Sequence, residues 1–509
     1  MGTMVYSLLR DMKLLMSVSG SGTTHSANVV KVFYILPVSF LFMVIYTKLD
    51  LKYKSSRVFY IFGGIFLTAL FIALILFGIK DYVEVHNSLS SKETNNRFLR
   101  NLLVTLESWT VTYFFLVSEL YSSVFLNLCI WGFSNSICSK DEALRFYPSI
   151  NVFCTICTML SGVLAIVIGL NPLPNSESKK GIQSGPQLII LSIVIVLNLG
   201  IIWIYRRFSK RLEKENLASK PGKAKKRKPK MGLKDSLVYI FTNSYVFNIM
   251  VMVASYGIIQ GFFETLYGNN LKLFAIGEGI KKEVIKGAET LIGGFLVFVL
   301  LLLVGNRGVI YFGWTKTALV SPIVISLFGT AFLISNFANY NLMHEVYHKL
   351  HIGAKLAGDF TASELSANLL VYIFGTICVN LTRSLKYSFF DPTKELVFFP
   401  LDLEERGRAK AAVDVIGARI GKSGSSLIQI ILLACFSNDI QSLKAISVMF
   451  VLVMILWIYC TIKTGTIYAQ KDKEKEDEAL NGIDEKETLK SAAIVDDVES
   501  ASSVENLVS

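Results

Sequence analysis

The stretch from Asp391 to Ser426 holds charge where its surroundings are apolar. It reads D-P-T-K-E-L-V-F-F-P-L-D, then charged residues, then K-A-A-V-D-V-I-G-A-R-I-G-K-S-G-S-S. Asp414, Arg419 and Lys422 open a segment that runs straight into L-I-Q-I-I-L-L-A-C-F. A charge at the centre of a membrane helix costs from about 2.5–3.5 kcal/mol, so such residues usually line a polar pathway. Three further charges sit in apolar text: Glu119 between F-F-L-V-S and L-Y-S-S-V-F-L, Glu264 in G-F-F-E-T-L-Y, and Lys31 before V-F-Y-I-L-P. Lys31 and Glu264 also fit a plainer reading as span ends whose side chains snorkel to the interface. Glu119 fits a structural pair between helices. The set as a whole points to movement of something charged across a membrane.

Two motifs invite enzymatic readings. Gly417-A-R-I-Gly421-Lys422-Ser423 has three residues between its glycines where a phosphate loop needs four, and no strand precedes it. Small residues there also make a helix-packing face from Gly421, Ser423, Gly424, Ser425 and Ser426, which leaves the lysine unexplained. His344-Glu345-V-Y-His348 is a literal H-E-x-x-H, with His351 and Glu364 as further donors. On a helix it would hold zinc with a glutamate base. It lies in a polar loop between spans, so a membrane zinc metalloprotease is the lesser alternative, and no metal site is expected.

Composition supports a membrane protein. Hydrophobic residues make up 52% of the 509 residues and charged residues 18%, against roughly 25% charged in soluble domains; mean hydropathy is +0.50. The net charge of +12 is read as cytoplasmic loops and an anionic substrate rather than nucleic-acid binding. Seven cysteines fall mostly in apolar text and read as small buried hydrophobes. Eleven spans of about 20 apolar residues are expected at 31–48, 58–79, 110–131, 149–170, 187–205, 241–262, 289–305, 312–335, 366–383, 411–436 and 444–463. Residues 206–234 carry 13 Lys plus Arg against two Glu, which keeps them cytoplasmic. The organisation expected is an N-terminal bundle at 1–205, a basic linker at 206–234, a C-terminal bundle at 235–465 and an acidic, disordered tail at 466–509. Five spans before the linker would put residues 1–30 outside. Residues 1–9 read as only the end of a helix.

Several longer blocks resemble one family. They are Leu9-R-D-M-K; S-E-L-Y-S-S-V-F-L-N-L-C-I-W-G-F-S-N around Glu119 and Asn135; E-A-L-R-F-Y-P at 142–148; S-Y-G-I-I-Q-G-F-F-E-T-L-Y; G-W at 313–314; K-Y-S-F-F-D-P-T-K-E-L at 386–396; and Lys410 to Ser426. The chain resembles the non-mitochondrial ATP/ADP translocases, nucleotide transporters of plastids and obligate intracellular parasites. The resemblance implies an all-α membrane protein with a major facilitator-like fold of two six-helix bundles. It implies counter-exchange of ATP and ADP by alternating access, with no enzyme activity and no cofactor. It also implies that Lys31, Glu119, Glu264 and Lys422 bind substrate. Arg10, Lys13, Asn135, Asp391, Lys394, Asp414 and Arg419 join them as further substrate or gate candidates, with Asp391, Lys394 and Glu395 suspected of forming a gate or an ion pair between the bundles. Departures are Leu14 after Lys13, Tyr121 and Tyr267-Gly268 at positions where the family carries other residues, and the family's first helix, which lies upstream of L-R-D. The natural chain is therefore expected to continue upstream of Met1. Partners are the nucleotide and lipid, the chain is expected to be a monomer, and the plasma membrane of an intracellular parasite is favoured over an organelle inner membrane. Another organic anion on the same fold is the alternative substrate.

Overall fold

The computed structural model describes residues 1–19, 24–53, 55–84, 97–131, 133, 140–170, 185–218, 242–278, 282–303, 311–350, 362–401, 405, 409, 413, 417–436 and 439–505, with no strand among them. The first half begins with α1 (Gly2–Ser19) and α2 (Thr24–Val29), which runs through a π-helical turn (Val30–Ile35) into α3 (Leu36–Lys52). Then come α4 (Ser55–Gly78), α5 (Arg97–Glu107), α6 (Trp109–Leu120) extended by a π stretch (Tyr121–Trp131), α7 (Lys140–Leu170) and α8 (Gly185–Ala218). The second half has α9 (Ser244–Glu278), α10 (Lys282–Leu303), α11 (Trp314–Leu350) and α12 (Ala362–Leu385). A π turn (Lys386–Phe390) joins α12 to α13 (Asp391–Leu396), and α14 (Ala418–Cys435) and α15 (Asp439–Glu505) follow.

Each half has its own apolar core among the described residues. One core gathers Val5, Leu9, Phe62, Phe66, Phe114, Tyr121, Phe125 and Tyr205. The other gathers Val246, Phe262, Phe263, Phe332, Phe398 and Trp457. Outward faces stay apolar: in α4, Ile61, Ile65, Phe71, Ile72 and Ile75 are all exposed. Burial of apolar faces within each bundle plus an apolar exterior is the arrangement of a chain solvated by lipid.

Ten helices among the described residues are long and apolar enough to cross a membrane, where the sequence predicts eleven. The difference is the segment 411–436. Its described helix, α14, carries Arg419, Lys422 and a run of Gly and Ser, which lowers its hydropathy although it packs firmly on α9. The sequence also undervalues the front of the chain. Residues 2–19 form an 18-residue helix packed against α6, α7 and α8 through Val5, Leu8, Leu9 and Met12. Arg10, Asp11 and Lys13 hid it from a hydropathy reading. At the start of α1 the Met1 side chain packs at Gly200 in α8.

The basic segment begins as helix, since α8 continues to Ala218; residues 219–241 lie outside the described ones. The acidic C-terminal segment continues α15 to Glu505 as helical backbone, where the sequence predicts disorder. The H-E-x-x-H text at 344–348 falls on the last turns of α11, an extension of that span and not a separate loop; its side chains, and His351 and Glu364, are outside the described set.

Candidate substrate site: a charged seam between the halves

Three π-helical turns set the positions of the charges. A π turn adds a residue to a helix and rotates everything beyond it, and such turns recur at functional sites. Two have a proline as their cause. Pro37 and Pro392 have no N–H for the carbonyls of Phe33 and Ser388, and their rings press on those carbonyls; both carbonyls lie inside the π turns. Widening the helix relieves the clash, and the Leu36 N–H bonds Lys31 O, five residues back. The third π stretch follows Glu119. There the hydroxyls of Ser122 and Ser123 donate to Glu119 O at 3.2 and 2.8 Å, competing with the backbone for that carbonyl. Lys31 thus lies within one π turn, Glu119 just before another, and Lys386 within the third.

Helix α14 presents Lys422 by a different device. Gly421 and Ser425 lie one turn apart and face α9. A Cβ on Gly257 would stand 2.8 Å from Gly421 Cα, and one on Gly261 2.6 Å from Ser425 Cβ. Backbones can approach this closely only through small residues. The small-residue face predicted from the sequence is therefore a packing face at Gly421 and Ser425, and Gly424 meets nothing within 4 Å. Packing of Gly421 leaves the next residue, Lys422, on an adjoining stripe. Lys422 is exposed, yet the charges of Glu119, Arg419 and Glu264 all act on it.

Of the predicted substrate residues, Lys31 of the first half reaches across to Glu264 of the second, Nζ to Oε2 at 4.0 Å. Glu119 is engaged by Lys13 within the first half. The same field joins Lys31 to Glu119 and Lys422, so all four share one seam. Arg10 pairs with its neighbour Asp11 at 3.1 Å, and Arg419 lies within reach of Glu119. Asp391 pairs with Lys386 at 2.5 Å and Lys394 with Glu395 at 3.4 Å. Those pairs lie within the second half, whereas the sequence reading suspected a link between bundles. Asn135 and Asp414 lie outside the described residues.

The seam also holds charges the sequence reading did not assign to it. Arg383 stands at the last position of the span expected at 366–383. It lies within a longer span, Leu369–Leu396, and contacts Glu264 and Glu289, each at 3.5 Å. Lys286 and Glu289 pair at 2.7 Å with side chains 1% and 0% exposed. The span expected to begin at 289 begins earlier, at 283, which carries Lys286 inward. Asp11 accepts a hydrogen bond from Thr290 across the halves at 2.7 Å. The available signal was the spacing K-G-A-E, an i,i+3 pair at a helix start.

Neutral contacts close the halves beside these charges. Asn28 donates to Gln429 at 3.0 Å and accepts from Ser426 at 3.1 Å, while Gln429 donates to Gly261 O at 3.3 Å. Helices α7 and α10 cross at Gly162 and Gly287, where a Cβ on either would stand 2.7 Å from the other's carbonyl oxygen. Among the residues described, Arg10, Lys13, Lys31, Lys286, Arg383, Arg419 and Lys422 face Asp11, Glu119, Glu264 and Glu289. The cations outnumber the carboxylates, which suits a polyanion.

Known proteins resemble the chain in fold and in sequence. The bacterial homologue of the iron transporter ferroportin, solved in an inward-facing state, superposes with a TM-score of 0.50 at 12% identity, covering 92% of this chain and 95% of its own. That likeness concerns the fold, which is of the major facilitator type. The ADP,ATP carrier protein 1 of Chlamydia pneumoniae is 29% identical over 489 residues, spanning 94% of this chain and 91% of that protein. The ADP,ATP carrier protein 1 of Rickettsia bellii is 28% identical over 471 residues, spanning 89% and 88%. The sequence profile of the TLC ATP/ADP transporter family matches residues 2–468, and the chain belongs to that family.

Proposed function

We propose that the chain carries ATP and ADP across a membrane by counter-exchange, with Lys31, Glu119, Glu264 and Lys422 contacting the nucleotide between the two halves. The observation that carries this is the exposed Lys422, on which the charges of Glu119 and Arg419 act, together with Lys31 of the first half paired to Glu264 of the second. Opposite unit charges at 4 Å attract by about 4 kcal/mol at an effective dielectric near 20 but about 1 kcal/mol in water. A shielded cavity therefore makes phosphate recognition by lysine effective. In the empty carrier Glu264 and Glu119 hold Lys31 and Lys13. An arriving polyphosphate competes for those lysines, and the released carboxylates are free to accept from ribose or base donors.

Alternating access follows from the same contacts. Lys31–Glu264 and the Asn28 hydrogen bonds join the halves, so rocking of one half on the other must break them. The nucleotide supplies replacement partners at that moment. No hydrolysis enters the cycle, because the gradients of the two nucleotides drive exchange. The carriers from Chlamydia and Rickettsia support the plasma membrane of an intracellular organism as the site of action.

The test is uptake of radiolabelled ATP by cells or proteoliposomes, with and without ADP inside. Internal ADP is expected to accelerate uptake. Lys422→Gln is expected to abolish it while membrane insertion is kept. Wild-type uptake by Lys422→Gln would remove that residue from the site, and uptake unaffected by internal ADP would replace exchange with net import.

A further inference from the structure

Arg383 is tied to two carboxylates that differ in one respect. Glu289 is 0% exposed, and its Oε2 is held by Lys286 at 2.7 Å and by the Tyr267 hydroxyl at 2.6 Å. Its Oε1 is buried without a hydrogen bond and points at Arg383 Nη1, 3.5 Å away. Glu264 is 30% exposed. Its Oε1 takes the Gln260 amide at 3.0 Å and stands 3.5 Å from Arg383 Nη2, while its Oε2 reaches Lys31. One side of the guanidinium thus meets a fixed, sealed anion. The other meets an anion that is partly exposed and is shared with the opposite half.

We propose that Arg383 is a third phosphate-contacting cation of the nucleotide site, alongside Lys31 and Lys422, and that Glu289, Lys286 and Tyr267 are positioning residues that aim it. This deepens the nucleotide reading above and rests on it. The charges fit the assignment. Arg10, Lys13, Lys31, Lys286 and Arg383 are met by Asp11, Glu119, Glu264 and Glu289, which leaves the cations one in excess among these described pairs. A phosphate that draws Lys31 from Glu264 loosens the same carboxylate that covers Nη2. Arg383 then turns its open edge toward the phosphate while Nη1 stays anchored on Glu289. A guanidinium has five donors in a fixed fork, which suits two phosphate oxygens at once. Anchoring keeps the fork oriented and charged in the empty state, so little ordering remains at the moment of binding.

The experiment compares wild type, Arg383→Lys, Arg383→Gln and Tyr267→Phe as purified full-length proteins. Each is assayed for ATP and adenosine binding, for KM and maximal rate of ATP uptake, and for melting temperature. Arg383→Lys retains a cation between the two carboxylates and is expected to keep the melting temperature near wild type. Loss of a charge-assisted contact weakens binding by about ten- to a hundred-fold. Arg383→Gln is therefore expected to weaken ATP binding by that factor with adenosine binding unchanged. Arg383→Lys should fall between, and Tyr267→Phe should raise KM several-fold through a looser anchor. Wild-type ATP affinity in Arg383→Lys and Arg383→Gln would overturn the proposal. So would an equal loss for ATP and adenosine, which would mark a structural role. Should Arg383→Gln fail to purify, Arg383→Lys decides on the same readouts. Absence of ATP binding in the wild type would instead refute the nucleotide reading itself.

Discussion

Substitution of Gly287 by alanine tests the closed junction of the halves. A Cβ at Gly287 would lie 2.7 Å from the carbonyl oxygen of Gly162, 2.8 Å from Ile166 Cγ1 and 2.9 Å from Ile166 N. Two of those atoms are backbone in α7, so no side-chain rotation clears them. Ordinary contact begins near 3.4 Å, and the helices must part by about 0.7 Å at the crossing. Overpacking of this kind costs typically about 1–3 kcal/mol. The cost falls on the conformer in which α7 and α10 touch, so its population relative to the alternative drops about 5- to 150-fold, at 1.4 kcal/mol per factor of ten. Carriers cycle through both conformers, and the exchange rate is expected to fall by a similar order. Thermal melting of the empty protein should fall too. The assay is ATP/ADP exchange in proteoliposomes at saturating nucleotide, with Gly287→Ala compared with Gly64→Ala, whose Cβ meets nothing within 4 Å. Full exchange and unchanged melting in Gly287→Ala would refute the idea that this crossing closes the carrier.

Three further outcomes are expected. In a chain with all seven cysteines replaced, Asn28→Cys with Ser426→Cys should cross-link with a short thiol-reactive reagent, because the native side chains touch at 3.1 Å; transport should stop and, for a reducible link, return on reduction, whereas transport by the linked protein would separate this contact from gating. Tyr121→Phe removes a buried hydrogen bond of 2.9 Å to Asn198 and should cost about 1–3 kcal/mol of stability by leaving a buried amide oxygen unpaired, with nucleotide KM unchanged; a raised KM would place Tyr121 in the site. His344→Ala with His348→Ala should leave exchange intact, checked together with the zinc content of the purified protein; stoichiometric zinc lost in that variant would revive the metal reading.

Much of the site is legible in the sequence because intramembrane charge is conspicuous. Lys31, Glu119, Glu264 and Lys422 each interrupt apolar text, and the cost of burying a charge is a local property that a one-dimensional reading detects. The family resemblance is legible for a similar reason, since its blocks are contiguous. The two-bundle architecture follows from span lengths and the basic segment between them. Helix α1 was less legible, because Arg10, Asp11 and Lys13 dilute its hydropathy while Val5, Leu8, Leu9 and Met12 supply its buried face.

Only the tertiary structure decided which charges meet. Asn28 and Gln429 bond across 401 positions of sequence, and no local pattern encodes such a partner. Each π turn rotates the helix beyond it, so how the segments after Lys31, Glu119 and Arg383 face their neighbours depends on an inserted residue that periodicity does not reveal. Arg383 shows the consequence. By sequence it is a charge near the end of a span; in three dimensions it joins Glu264 to a sealed Lys286–Glu289 pair. Hydropathy sets where the chain may lie, but helix rotation and the closeness allowed by Gly162, Gly257, Gly287 and Gly421 set which side chains can touch.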